Sequence, residues 1–260
     1  MDKQTLLKYL IIVLFLLIVY NNYENFGITK DPKLSVIVPF IMRDDKYLEL
    51  YLDDVRKQTV KPYELIIVGE LPSKERQDNL KNIYHDLPII FNDVGEKLPP
   101  GINRNKGVEV ATGDIYAFTD VDDEYHPKRN ELLIYLFTTY DCYFIGHLYY
   151  WGYNKSFEEI DVEKVKVFKF SEIYKKTMEG GDAFIVPPTG DWMTQGHVTV
   201  HKNVFDKFNI KYDDSLRGED CQFDYDIMIK LKDGEFDEYN FIIIDNYLSK
   251  YIPNSQQILE

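Results

Sequence analysis

Residues 115–123 read IYAFTDVDD, an apolar run that changes abruptly into a cluster of carboxylates. A short, uninterrupted apolar segment is typical of a strand buried on both faces, as in a parallel sheet covered by helices. In sheets of this kind, ligands bind beyond the carboxyl ends of the strands. The sequence therefore predicts a strand over Ile115–Thr119 and a ligand site where Asp120, Asp122 and Asp123 follow it.

The segments around this stretch alternate between strand and helix patterns. Apolar runs at Leu34–Phe40 and Tyr63–Val68 predict buried strands, and residues 44–58 between them carry apolar side chains at helical spacing. Further strands are predicted at 88–91, 143–151, 162–170, 196–200 and 241–246, and further helices at 73–84, 102–111, 127–138, 202–208 and 220–231. This order predicts an α/β fold with a largely parallel sheet flanked by helices.

Composition and charge narrow the class of protein. The 260 residues include 30 basic and 44 acidic side chains, a formal net charge of −14, which argues against nucleic-acid binding because phosphate backbones need a basic surface. Hydrophobic residues make up 45% of the chain, enough for a substantial core. Two cysteines, Cys142 and Cys221, are too few for a disulfide-stapled mini-domain or a cysteine-rich zinc module.

The N-terminus carries the most apolar segment. Residues 6–20 read LLKYLIIVLFLLIVY and, extended by Thr5 and by amphipathic end residues, approach the roughly 17 residues that the shortest membrane spans need. A cleaved signal peptide is the alternative, but polar rather than small residues follow the run. We therefore predict a single-pass membrane anchor over residues 1–20 that contacts the bilayer through 5–20, a stem over 21–33 and one domain over 34–260. A lumenal domain is favoured over a cytoplasmic one.

Two acidic clusters suggest different chemistry. The carboxylates at 120–123 suit Mg²⁺ or Mn²⁺, which proteins usually hold with one or two carboxylates and substrate phosphates, whereas a solvated acidic turn is the simpler interpretation. The second cluster, Glu219 and Asp220, begins a predicted amphipathic helix. It either stabilises the helix dipole or supplies a carboxylate base for an acceptor hydroxyl.

Four motifs, in this order, resemble nucleotide-diphospho-sugar glycosyltransferases of the GT-A fold, especially the family-2 type. LSVIVPF at 34–40 is similar to their first strand, and NRNKG at 103–107 with ATGD at 111–114 is similar to their ARNxG helix and the turn after it. FTDVDD at 118–123 resembles their F-L-D-x-D-D segment. The stretch from Gly196 to Asp220 is similar to their acceptor-side glycine loop and Glu-Asp motif, and to the C-terminal part of β-1,4-galactosyltransferases.

The resemblance implies a Rossmann-like domain that acts as a metal-dependent, inverting glycosyltransferase. It would move a sugar from a nucleotide sugar, a UDP-sugar in the first place, to a hydroxyl on a glycan, protein or lipid. Asp120 and Asp122 would hold the diphosphate through Mn²⁺ or Mg²⁺, with Asp123 able to replace Asp122. Asp220 would deprotonate the acceptor hydroxyl and Glu219 would orient the acceptor. The residues implied at the nucleotide pocket are Pro39, Phe40, Arg43, Glu70, Arg104 and Asp120.

Two departures from the family pattern leave an alternative open. Gly69-Glu70 follows the second strand in place of an Asp-Asp-Gly-Ser-like run, so Glu70 is the expected substitute. All five histidines precede Asp220, so the sequence has no histidine after the Glu-Asp motif, where many GT-A enzymes have a metal-binding one. Asp245 and Asn246 are its predicted replacements. The alternative is a catalytically decayed scaffold that binds glycans or serves the cell envelope.

Overall fold

The computed structural model describes residues 31–152, 154–180, 185–186, 191–192, 197–213, 218–234 and 237–252. The predicted anchor over residues 1–20 lies outside these ranges, as does nearly all of the stem. Within them, the longest helix, Glu219–Lys232, has 14 residues, and no helix is long and apolar enough to cross a membrane, which takes roughly 17 residues or more. This finding contradicts the predicted single-pass, lumenal localisation, and we correct that prediction accordingly.

The first half of the chain builds a parallel β/α unit. Its strands, in the spatial order β3-β2-β1-β4, are β1 (Leu34–Phe40), β2 (Glu64–Gly69), β3 (Ile89–Asp93) and β4 (Ile115–Phe118). The helices between them are α1 (Asp45–Lys57), α2 (Lys74–Ile83) and α3 (Pro100–Val110). Every side chain of β1 and β2 is buried, as expected for strands covered on both faces. The predicted elements of this half are confirmed within about two residues at each end.

The second half makes the sheet mixed. Its elements are β5 (Glu124–Tyr125), α4 (Arg129–Thr139), β6 (Phe144–Trp151), β7 (Val167–Phe168), α5 (Phe170–Gly180), β8 (Ile185–Val186), β9 (Asp191–Trp192), β10 (Val198–His201), α6 (Asn203–Asp206), α7 (Glu219–Lys232) and β11 (Phe241–Tyr251). Strand β10 runs antiparallel between β4 and β6, β11 is parallel to β6, and β5 and β7 are antiparallel to β11. The prediction of a largely parallel sheet is therefore wrong for this half.

The hydrophobic core occupies both faces of the sheet. Val36 and Val38 of β1 belong to the cluster formed with α1, α2 and α4, whereas Ile37 packs in the opposite cluster with α7. Helix α3 also lies on the Ile37 side, and it approaches the sheet closely. A Cβ on Gly107 would lie 2.4 Å from Ile37 Cγ2, so the glycine permits this approach.

Two stretches of the second half differ from the sequence prediction. The strand expected over 162–170 is a short 3₁₀ turn at Val162–Lys164 followed by the two-residue β7, and helix α5 was not predicted. The last strand, expected to end at residue 246, continues to Tyr251. An irregularity in its pairing with β6 between Ile244 and Tyr247 interrupts the side-chain alternation, which explains why the pattern underestimates its length.

Candidate active site

A cleft of about 710 Å³ opens at the carboxyl ends of β1 and β4. The loops after these two strands, the start of α3, the first turn of α7 and the end of β11 contribute its walls. Most of the predicted site residues line it: Pro39, Phe40, Arg43, Arg104, Asp120, Asp122, Glu219 and Asp220. The fold thus brings the two acidic clusters of the sequence into one cavity.

Asp120 is held in the cleft by an ion pair with α3. Arg104 Nη2 donates to Asp120 Oδ1 at 2.7 Å, and the two side chains are 5% and 27% exposed. The backbone N–H of Asp120 donates to the Tyr125 hydroxyl at 2.7 Å. Burial lowers the pKa of Arg104, but the charges of Asp120, Tyr212 and Asp220 outweigh it and raise the pKa overall. Arg104 therefore stays charged and fixes the position of the Asp120 carboxylate.

The next two aspartates lie in different environments. Asp122 lines the cleft, whereas Asp123 is only 6% exposed and its Oδ1 accepts a hydrogen bond from Ile252 N at 3.1 Å. Burial, and then the charges of Asp120 and Asp122, raise the pKa of Asp123 well above its ordinary value. Asp123 accordingly ties the acidic loop to the residue that follows β11 and, unlike Asp122, does not line the cleft.

Glu219 and Asp220 form the first turn of α7. The preceding Gly218 has φ 87°, a left-handed conformation that glycine adopts without steric cost. Asp220 Oδ1 accepts a hydrogen bond from Cys221 N at 2.8 Å. A Cβ on Gly101 would lie 3.0 Å from Glu219 Cγ, so the start of α3 packs directly on this turn. Both carboxylates lie at a helix N-terminus, where the helix dipole favours negative charge.

The residues predicted for the nucleotide pocket fall into two groups. Pro39, Phe40 and Arg43 line the cleft, and the Arg43 side chain is 67% exposed with its Nε 3.2 Å from Asp44 Oδ1. Glu70 does not line it. Its Oε2 is 3.4 Å from Met42 N, so it contacts the loop after β1.

The lining residues that were not singled out as site residues from the sequence include Lys97, Asn103 and Tyr251. Asn103 Oδ1 is buried and has no hydrogen-bond partner among the described residues, whereas its Nδ2 is 3.4 Å from Leu98 O. Lys97 precedes the Pro99-Pro100 pair that begins α3. A cation next to the start of a helix was a signal in the sequence that could have identified Lys97 as a site residue. Tyr251 was missed because the last strand was predicted to be too short.

The donor set for a metal is limited to carboxylates. The part of the chain that the structure describes contains no group of three or more His, Cys, Asp or Glu side chains that could hold a metal ion. All five histidines are described and none lines the cleft; Asp245 pairs instead with Lys166 at 3.6 Å. Two cleft carboxylates, Asp120 and Asp122, still fit a hard divalent cation whose coordination is completed by substrate phosphates and water.

Comparisons with known proteins bear on this cleft. Residues 35–196 match the family model described as Glycosyl transferase family 2. The chain is 30% identical over 239 residues to an uncharacterised glycosyltransferase of Methanocaldococcus jannaschii, covering 88% of this chain and 73% of that protein. It is 34% identical over 95 residues to the GalNAc(5)-diNAcBac-PP-undecaprenol β-1,3-glucosyltransferase of Campylobacter jejuni, covering 36% of this chain and 30% of that protein.

Solved structures share the fold. TarS 1-349 of S. aureus in complex with UDP-GlcNAc has a TM-score of 0.59 at 14% identity, over 85% of this chain and 59% of that chain. The mannosyltransferase PcManGT of Pyrobaculum calidifontis in complex with GDP-Man and Mn²⁺ has a TM-score of 0.56 at 15% identity, over 90% of this chain and 64% of that chain. This chain therefore spans less than two thirds of either. The likeness supports the predicted GT-A-like fold, here with a mixed sheet.

Proposed function

Because the chain belongs to glycosyl transferase family 2, we propose that it moves a sugar from a nucleotide-sugar donor bound in the cleft to an acceptor hydroxyl, with inversion at the anomeric carbon. One observation carries the proposal. Two acidic pairs, Asp120 with Asp122 and Glu219 with Asp220, come from distant parts of the sequence and line the same cavity. Sugar transfer needs both a site that offsets a leaving diphosphate and a base for the attacking alcohol.

The donor is assigned to the β1–β4 side of the cleft. The nucleoside would contact Pro39 and Phe40, with Arg43 at the exposed rim, and the diphosphate would lie beside Asp122. Asp122 and Asp120 would hold Mg²⁺ or Mn²⁺, and the bound ion would offset the charge of the leaving diphosphate. Arg104 keeps the Asp120 carboxylate in a fixed position for this task. The similar solved proteins were captured with UDP-GlcNAc or with GDP-Man and Mn²⁺, which supports a nucleotide-sugar donor here and leaves UDP and GDP as the two candidates to compare.

The acceptor chemistry is assigned to α7. Asp220 would accept the proton of the acceptor hydroxyl as its oxygen bonds to the anomeric carbon and the bond from that carbon to the donor phosphate breaks. A single displacement of this kind inverts the configuration at that carbon. Glu219 would accept a hydrogen bond from the acceptor and orient it. A decayed, non-catalytic scaffold would have no need of these acids, and both pairs are retained on the cleft.

The test compares D122N and D220N with a matched control, D226N. Asp226 lies on α7 with Asp220, is exposed and is absent from the cleft lining. Nucleoside diphosphate release from UDP-glucose, UDP-GlcNAc and GDP-mannose is measured with Mn²⁺ or Mg²⁺, together with the melting temperature in UDP and GDP. A nucleotide at 100 times its Kd should stabilise the domain by about 2.7 kcal/mol.

The variants should separate the two halves of the mechanism. D220N should lower turnover by roughly 10²–10⁴-fold, the usual contribution of a general base, while the nucleotide still raises the melting temperature. D122N should lose the stabilisation by nucleotide and metal, and D226N should match the wild type. Turnover in D220N within threefold of the wild type would exclude Asp220 as the base. If neither UDP nor GDP stabilised the wild-type chain, the donor assignment would be wrong.

A further inference from the structure

An aromatic ledge, formed by Tyr149, Trp151 and Tyr251, borders the cleft at the ends of β6 and β11. Tyr251 is paired with Trp151 in the β6–β11 register, and their rings are 4.9 Å apart at 46°. Tyr149 lies on the same face of β6 as Trp151 and meets Tyr251 edge-on at 6.2 Å. The ledge is therefore one continuous surface of rings.

Trp151 is unusual because it is 65% exposed although it ends a strand whose other residues are almost all buried. The ledge is anchored from beneath, since Tyr149 stacks on the buried His197 at 4.3 Å. Gly152 N donates to Tyr251 O at 2.8 Å and closes the strand pair at its end. A large, rigidly supported apolar ring left open to solvent beside a cleft is typical of a binding surface rather than of a core position.

The ledge is continuous with the proposed active site. Tyr251 lines the cleft together with Asp122 and Asp220. Burial, and then the charges of Asp123, Asp122, Asp120 and Asp220, raise the pKa of the Tyr251 hydroxyl. In the sheet order, β1 and β4 lie on one side of β10, and β6 and β11 lie on the other. The donor half of the cleft and the ledge therefore lie on opposite sides of β10.

We propose that the ledge is the acceptor subsite and that Trp151 stacks on the C–H face of a pyranose ring of a carbohydrate acceptor. This inference rests on the proposed function and narrows its acceptor to a carbohydrate. A pyranose has an apolar face for the indole and hydroxyls for the carboxylates, so it matches both parts of this surface. Stacking on Trp151 would direct an acceptor hydroxyl toward Asp220.

Trp151 fluorescence provides a direct test that does not require knowledge of the natural acceptor. The sequence has two tryptophans, so a W192F background leaves Trp151 as the single indole. The probes are methyl glycosides of glucose, galactose, mannose and GlcNAc, titrated with Mn²⁺ and either UDP or GDP. The controls are Tyr63→Ala, which removes a 48% exposed aromatic ring remote from the cleft, and Trp151→Phe, which keeps a ring.

At least one glycoside should change the Trp151 emission in a saturable way. In transfer assays that use the same glycosides as acceptors, W151A should raise the acceptor KM by about tenfold without changing nucleotide affinity. W151F should stay within about threefold of the wild type, and Tyr63→Ala should equal it. If W151F raised the acceptor KM as much as W151A does, stacking on the ring at this position would be contradicted.

Two outcomes would overturn the inference. If none of the glycosides changed the Trp151 emission, and if W151A kept the wild-type acceptor KM, a sugar on the ledge would be excluded. Emission that shifts with vesicles of phosphatidylcholine and phosphatidylglycerol, but not with glycosides, would make the ledge a lipid-contacting surface. Failure of the proposed function would look different from failure of this inference. A wild-type chain that bound glycosides but neither UDP nor GDP would contradict the donor site and still support the ledge as a sugar-binding surface.

Discussion

Replacing Arg104 by methionine removes a buried charge and keeps a side chain of similar length. Arg104 is 5% exposed and pairs with Asp120 at 2.7 Å, so the substitution leaves Asp120 uncompensated beside Asp122. Removing one partner of a buried ion pair costs roughly 3–5 kcal/mol, and we expect the lower end, about 3 kcal/mol, because the Asp120 side chain is partly exposed. For a domain of this size, that corresponds to a fall in melting temperature of roughly 6–12 °C.

The matched control is R56M. Arg56 pairs with Asp86 through the same groups, but the two side chains are 35% and 40% exposed, so its loss should cost less than about 1 kcal/mol. Melting temperatures are measured by calorimetry at pH 7.5 in low salt and in 0.5 M NaCl. Added salt should narrow the difference between R56M and the wild type, and should change R104M little.

A double-mutant cycle isolates the pair itself. Asp120→Asn removes the charge that R104M leaves behind, so the double variant should be more stable than the sum of the two single changes predicts, by roughly 0.5–3 kcal/mol. R104M should also weaken the stabilisation by nucleotide and Mn²⁺, because Asp120 is no longer fixed. If R104M lost no more stability than R56M, or if the two single changes simply added, Arg104 would not be the group that holds Asp120.

Further expected outcomes concern packing and pH. Gly107→Ala puts a Cβ 2.4 Å from Ile37 Cγ2 and should destabilise the domain by roughly 1–3 kcal/mol in urea titrations. The control, Val110→Ala on the exposed end of the same helix, should cost less than about 0.5 kcal/mol. Burial and then the charge of Asp237 raise the pKa of Asp141 to about 6, so its ionisation removes stability as the pH rises from about 4 through 6. D141N should therefore raise the melting temperature at pH 8 by roughly 2–4 °C, after allowance for solvent screening, and leave it unchanged at pH 4. An equal change in melting temperature at both pH values would contradict the raised pKa of Asp141.

Much of the first half of the fold was predictable from local pattern. The run Leu34–Phe40 is β1 without any change of boundary, and the run that begins at Ile115 is β4. Strands buried on both faces leave uninterrupted apolar runs, and the helices between them show a clear apolar face, so each element identifies itself. The carboxylates after β4 then follow the general rule for parallel sheets, and the cleft lies where that rule places it.

The second half was less predictable for physical reasons. A local pattern does not determine strand direction, and β10 enters antiparallel between β4 and β6. Nor does a run of acids reveal which of its members faces a cavity. Asp122 and Asp123 are adjacent and chemically identical, yet Asp122 lines the cleft, whereas Asp123 accepts a hydrogen bond from Ile252 N directly after β11. That distinction depends on a contact between residues more than a hundred positions apart.

The same contact explains how the acidic loop tolerates its own charge. Several carboxylates close together repel one another, and such a loop needs partners from elsewhere in the chain. Arg104 from the first half neutralises Asp120, while β11 from the second half binds the loop through Asp123, through the antiparallel pairing of β5 and through the hydrogen bond from His126 N to Leu248 O. Asp122 is left on the cleft wall between these two anchors. The two halves of the chain therefore both hold the loop that we propose binds the donor, and the strand that completes this anchoring also carries Tyr251 to the proposed acceptor side.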